Sequence, residues 1–172
     1  MKPSLTDTLC TTCGLCCDGS LFADVELSGT DETSRLEVLG LEIEDAAEDH
    51  HGLLLQPCRA LKGTRCSVYA HRPECCRTFE CHLLQEVRRG AVTADQAKQK
   101  IVDALQRIAR ITLLVDSLGR SDQGLPLRER CAEALTLPEN GDRDPDVHRM
   151  RDELEAAMAS LERLIQETFL VG

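Results

Sequence analysis

Four cysteines stand within eight residues near the N-terminus, at Cys10, Cys13, Cys16 and Cys17. No secondary structure demands that spacing, whereas thiolates two residues apart can close a small chelate ring on one soft metal ion or cluster. A second group follows at Cys58, Cys66, Cys75, Cys76 and Cys81, and Cys131 stands alone. A reducing compartment keeps clustered thiols free to hold metal rather than to form disulfides. The chain is therefore expected to fold its first half around a soft-metal site. A dithiol redox role is the competing use of the C-x-x-C spacing.

Bulk apolar residues point the same way. Trp is absent, Tyr occurs once and Phe three times, so the core must be aliphatic. Phe22, Tyr69 and Phe79 all lie in the cysteine-bearing half, which is otherwise poor in large side chains. A metal would supply there the stabilisation that hydrophobic burial does not, as in small zinc domains. Length is no obstacle, since 172 residues suffice for a real core.

Formal charge is −10, and it is unevenly spread. Residues 1–56 carry two basic and twelve acidic side chains, whereas residues 57–90 carry seven basic and three acidic. The one positive stretch thus holds the second cysteine group. Its cations are expected to lower thiol pKa values, or to pair with the acidic segment before it. Nucleic acid is a poor partner for an acidic chain with so few stacking aromatics. No apolar run near the N-terminus suggests a signal peptide, and none approaches the roughly 18 residues of a membrane span. The expected location is the cytosol, with no membrane and no nucleic acid as partner and a metal ion as the one partner implied.

Two kinds of sequence divide the chain near residue 90. Residues 1–90 are punctuated, and Cys10 to Gly19 reads as a metal-binding loop or knuckle that turns at Gly14. Leu21–Leu27 and Gly52–Gln56 read as short strands. Thr30 or Asp31 can cap a helix that runs to about Leu39 and stops at Gly40, and Pro73 can start a short helix carrying Cys75, Cys76 and Phe79. In residues 91–172, Ile101, Ala104, Ile108, Ile111, Val115 and Leu118 advance by threes and fours between Thr93 and Gly119. Val147, Met150, Leu154, Ala157, Leu161, Leu164 and Thr168 do the same after Asp144-Pro145. A short helix over Leu127–Leu135 and a loop over 138–142 separate them. The expected fold is mainly α: a cysteine-rich, irregular, metal-stabilised domain over 1–90 with short strands and helices. It packs as one unit on an antiparallel helical hairpin over 91–172.

The second group reads Pro57-Cys58-Arg59-Ala60-Leu61, then Cys66-Ser67-Val68-Tyr69-Ala70-His71-Arg72-Pro73-Glu74-Cys75-Cys76-Arg77-Thr78-Phe79-Glu80-Cys81. With the opening Cys-x-x-Cys-x-x-Cys-Cys, this run resembles the CxxCxxCC family of zinc- or iron-chelating domains, also called the YkgJ family of cysteine-cluster proteins. The resemblance rests on Cys10, Cys13, Cys16, Cys17, Cys58, Leu61, Cys66, Val68, Tyr69, Arg72, Pro73, Cys76, Arg77, Phe79 and Cys81. It implies metal binding through the eight cysteines among them. Cys75 is a departure from the pattern and a substitute for Cys76, which Arg77 and Phe79 favour as the matching residue. Cys131 falls outside the pattern and suits a buried small hydrophobe.

Eight thiolates permit two closed tetrahedral zinc sites, which would be structural. They also permit an iron–sulfur cluster on Cys10, Cys13 and Cys16 with one remote cysteine, although the C-x₃-C-P continuation of bacterial ferredoxins is absent. In either case one member of an adjacent pair such as Cys16-Cys17 can serve each of two centres. Arg72 and Arg77 are candidates to donate hydrogen bonds to sulfur. His50, His51, His71 and His82 read as surface or supporting groups, with His71 and His82 the better substitutes for a missing thiolate. No catalytic signature occurs, neither a phosphate-cradling loop nor G-x-S-x-G nor H-E-x-x-H. Three functions follow: a metal-binding protein with a largely structural zinc or iron site, a redox protein with an iron–sulfur cluster, or a metal-dependent enzyme with an open coordination position.

Overall fold

The computed structural model describes residues 4–45, 52–119, 122–136 and 145–170. Among them are seven α-helices, a three-stranded sheet and a two-stranded one. The expected loop over 138–142 and the pair His50-His51 lie outside the described residues.

The first departure from expectation comes at once. Cys10 and Cys13 lie on a helix, α1 (Leu5–Cys13), and not in a loop. Ser4 caps it: the Asp7 amide donates to Ser4 Oγ at 3.0 Å, and the Ser4 amide donates to Asp7 Oδ2 at 3.2 Å. The helix stops at Gly14, in the left-handed region at φ 76°. A Cβ there would also stand 3.2 Å from the Thr64 Cα, so both conformation and space demand glycine. The turn that follows carries Cys16 and Cys17 and is closed by the Cys17 amide donating to the Gly14 carbonyl at 2.8 Å.

The antiparallel sheet has β3 (Gly52–Leu55) at its centre, between β1 (Asp24–Glu26) and β2 (Ile43–Asp45). Leu54 sits opposite Val25 on one side and Ile43 on the other. Between β1 and β2 runs α2 (Thr30–Val38), whose N-cap is Gly29 rather than Thr30 or Asp31. Sheet and helix share a small core of Leu27, Leu36, Leu41, Leu54, Cys58 and Ala60.

A tight hairpin of β4 (Leu61–Lys62) and β5 (Arg65–Cys66) leads through a 3₁₀ turn at Tyr69–His71 to α3 (Glu74–Thr78), which Pro73 caps as expected. A further helix, α4 (His82–Arg88), was not anticipated from the sequence; it buries Leu83 and Leu84.

Thr93 caps the long α5 (Ala94–Leu118), in a capping box with Gln96, and Gly119 follows its end. After α6 (Leu127–Thr136), α7 (Pro145–Ile165) returns antiparallel to α5. The direction follows from their cross-links: Arg107 donates to Ser160, and one turn further along α5 Arg110 pairs with Glu153, two turns back along α7, at 2.6 Å. The expected stripes meet here, with Ile111, Val115, Leu154 and Leu161 almost wholly buried beside Cys131. No helix among the described residues is long and apolar enough to cross a membrane.

The two halves join through apolar side chains. Leu9 and Leu15, Leu83 and Leu84 of α4, and Ala97, Ile101 and Ala104 of α5 bury one cluster. Phe169 completes it from a π-helical turn (Gln166–Leu170) that extends α7. The aromatic residue outside the cysteine-rich half is thus buried against that half.

Candidate metal centre

Nine of the ten cysteines border one cavity of about 380 Å³. Cys131 is the exception, buried in the helical core as a small hydrophobe, where burial raises its thiol to about 11. Local structure explains how the nine converge. Cys10 and Cys13 are three residues apart on α1 and so share a face. The Cys58 amide donates to the Cys17 carbonyl at 2.8 Å, which ties the opening turn to the second group. Cys66 lies on β5, whose hairpin is pinned to α1 by the Thr64 hydroxyl donating to the Thr11 carbonyl at 2.9 Å. Cys75 and Cys76 ride on α3, and Cys81 is the N-cap of α4.

The thiols fall into two neighbourhoods. Cys10 and Cys13 are each raised by burial first and then by the charge Cys81 would carry, and Cys16 by burial and then by Cys13, Cys17 and Cys81. Cys17 is raised by burial and then by Cys58 and Cys66, and Cys58 in turn by burial and Cys66. Cys76 is raised first by its hydrogen bond with Cys75, then by burial, and further by Cys75, Cys17 and Cys58. Packing repeats the division: Cys10, Cys13 and Cys81 lie against the Leu9/Leu84/Ile101 cluster, whereas Cys17, Cys66 and Cys75 join Cys58 on the Leu27/Leu54 cluster. Cys16 packs on neither cluster and lies between the two neighbourhoods, influenced by Cys13, Cys17 and Cys81.

The electrostatics reverse one expectation. The basic stretch does not lower these thiols, because desolvation outweighs it: Cys13 and Cys17 are pushed up from 9.0 to about 12. Arg72 opposes the rise at Cys10 and Cys17, but as a lesser influence than burial. Its guanidinium lies 3.5 Å over the Tyr69 ring and donates through Nε to the Tyr69 carbonyl, while the Tyr69 hydroxyl donates to Asp7 at 2.7 Å. Arg77 is exposed and does not border the cavity. Opposition to the rise comes also from groups the sequence did not single out: the amides of Leu15 at Cys13, of Ala60 and Leu61 at Cys58, and of Leu83 and Leu84 at Cys81. Such donors favour thiolate, and they follow from a sulfur placed at a helix end or a tight turn. The other anticipated pairing is present in Arg59–Glu42 at 2.8 Å, basic stretch to acidic segment. His71 is exposed, and His82 faces Glu86 across 3.9 Å; neither borders the cavity.

The donor set fits zinc or iron in kind and number, with nine soft sulfurs around one cavity. Its geometry is assembled but not closed. Among the described residues no three His, Cys, Asp or Glu side chains form, as they stand, a group that could hold a metal ion. Buried neutral thiols have no reason to converge. Ligation must remove their protons and turn side chains inward.

A family model described as "putative zinc- or iron-chelating domain", CxxCxxCC, matches residues 9–104, more than half of the chain. The chain belongs to the CxxCxxCC family. No curated protein and no solved structure matches it. The CxxCxxCC match runs past the last clustered cysteine and takes in Ala97, Ile101 and Ala104, the part of α5 that covers α1 and α4. Metal chelation is thus the chemistry that the family description and the assembled thiols have in common.

Proposed function

We propose that this CxxCxxCC protein holds two zinc or iron ions in two thiolate sites, one of Cys10, Cys13, Cys16 and Cys81 and one of Cys17, Cys58, Cys66 and Cys76. The observation that carries the reading is that six of these eight thiols pack on two different hydrophobic clusters around one cavity, Cys10, Cys13 and Cys81 on one and Cys17, Cys58 and Cys66 on the other. Four thiolates close a tetrahedral site and leave no open position, so the role is largely structural. On this reading residues 1–90 form the chelating domain, residues 91–172 are a helical appendage packed with it as one unit, and the chain works in the reducing cytosol. Arg72 beside Tyr69 and the amides facing Cys13, Cys58 and Cys81 offset part of the thiolate charge.

A second reading is favoured by one feature. The first set is a C-x₂-C-x₂-C run plus a remote Cys81, the number and spacing of ligands that a four-iron cluster takes. It predicts a redox protein.

Metal analysis with a visible spectrum on anaerobically purified protein decides between them. Two equivalents of zinc in a colourless sample are expected. A brown sample that bleaches on reduction means the cluster instead. Cys13→Ser and Cys17→Ser should each cost one equivalent, and a double substitution within one set should cost no more than one. Full native stability of the cysteine-rich half after complete metal removal would defeat the structural role.

A further inference from the structure

One buried polar side chain at the cysteine-lined cavity has no partner. Gln56 is 4% exposed, and its Oε1 accepts no hydrogen bond. Of the buried, unpartnered side-chain oxygen and nitrogen atoms among the described residues, this is the one that belongs to a residue lining that cavity. Its placement follows from the sheet. The Gln56 amide donates to the Ala23 carbonyl at 3.0 Å, which carries the β1–β3 pairing one residue past the end of β3. Burial alternates along this run, at Gly52, Leu54 and Gln56. Gln56 thus takes an inward position where a small apolar core would be expected to carry another leucine. Leu54 before it and Cys58 after it both belong to that core.

We propose that Gln56 is an oxygen ligand of the metal ion held at the Cys17/Cys58/Cys66/Cys76 site, which thereby mixes oxygen with sulfur while the Cys10/Cys13/Cys16/Cys81 site is sulfur alone. The inference rests on the two-site reading above. An amide carbonyl oxygen is an acceptor only, so its partner must be a hydrogen-bond donor or a cation. Donors on the cavity wall are committed elsewhere: the Tyr69 hydroxyl to Asp7, the Thr64 hydroxyl to the Thr11 carbonyl and Arg72 Nε to the Tyr69 carbonyl. Thiols that have lost their protons to metal have no hydrogen to give. The ion itself is the partner that remains. In the metal-free chain the buried oxygen carries its full desolvation penalty, and ligation removes that penalty.

An amide suits this position. It is neutral, so it adds a donor without adding to the negative charge that the thiolates already bring. It also changes what the site accepts. Sulfur alone suits copper(I) as well as zinc, whereas a carbonyl oxygen is a harder donor that copper(I) does not favour. The mixed site is therefore the more selective of the two for zinc or iron(II).

The test titrates the full chain with Co²⁺, an optical stand-in for zinc. Its visible bands are intense in a tetrahedral all-sulfur site and weaken and move to shorter wavelength when an oxygen joins. Wild type should bind two equivalents, one with each kind of spectrum. Gln56→Leu should bind two with the all-sulfur spectrum and hold the altered one about tenfold more weakly, or about 1.4 kcal/mol. The same variant without metal should resist urea better than wild type, because a buried, unpartnered oxygen has left an apolar core. Gln56→Glu, which keeps an oxygen but loses the amide N–H, should retain the mixed spectrum. Two all-sulfur spectra in wild type, or an unchanged spectrum and affinity in Gln56→Leu, would each overturn the inference alone. Loss of the mixed spectrum in Gln56→Glu would overturn it by assigning the amide N–H as a donor to sulfur. Lower urea resistance of metal-free Gln56→Leu would overturn it by showing that a trapped water already satisfies the oxygen. A wild type that takes up no Co²⁺ would overturn the two-site reading and the inference with it.

Discussion

The helical part and the cysteine-rich part of this protein have apolar cores of different size and make-up. Around α5, α6 and α7, eight buried side chains including Ile111, Val115, Leu154 and Leu161 form one aliphatic core, and the helices carry their own caps. Around the sheet and α2, six buried residues do the same task, and one of them is Cys58. The strands are short and α3 has five residues, so this region orders little regular structure around its small core. The difference shows where a bound ion would add most: on the proposed reading, the smaller core is the one its sulfurs would reinforce.

Removing metal is the largest perturbation of that contrast. Chelation of a metal-loaded sample is expected to abolish amide protection across β1–β5 and α3 while α5 and α7 keep theirs, as hydrogen exchange would record. Uniform loss across both regions would show that the contrast is wrong.

Next in size is the joint between the regions. Phe169 is 1% exposed and sits with Leu9, Leu15 and Leu84. Phe169→Ala should cost about 3–5 kcal/mol in denaturant unfolding, with the cavity opened against the cysteine-rich side. An effect below about 1 kcal/mol would mean that the π-helical turn is only loosely attached.

pH offers a gentler lever. In the metal-free protein Cys13 and Cys17 keep their protons up to about 12, whereas the unfolded chain releases them from 9.0. The folded state therefore binds more protons in that window, and its stability should fall as pH rises through it. Metal-bound thiolates have no proton to lose, so the loaded protein should lack this decline and instead shed its metal on acidification. Paired urea titrations at pH 8 and pH 10.5 would separate the two forms.

The smallest effect tests the helical side alone. Thr93→Ala removes the oxygen that accepts the Gln96 amide at 3.2 Å. It should cost about 1 kcal/mol in thermal stability and leave metal content unchanged. A lowered metal content would couple the helix start to the thiols more tightly than the packing suggests.

Much of this was legible in local pattern. The two stripes gave both long helices and their starts at Thr93 and Pro145, because a helix face is written at intervals of three and four. The loop expected at Cys10 to Gly19 is instead a helix end and a turn. The capping pair Ser4 and Asp7 is the sequence signal for it. For α4 the cue was fainter, since Leu83, Leu84 and Val87 make less than two turns of a stripe.

What the sequence determined alone is the chemistry: enough clustered thiols for two soft-metal sites, too few aromatics to replace them, and family motifs that run through both groups. Which thiol packs beside which was decided by tertiary structure. Cys75 and Cys81 are six residues apart, yet α3 goes with the sheet and α4 with α1 and α5, so the two side chains pack on different apolar clusters. Sequence spacing governs only how far a chain can reach. The pairing of ligands depends on which apolar faces are buried together, and that is settled between elements distant along the chain.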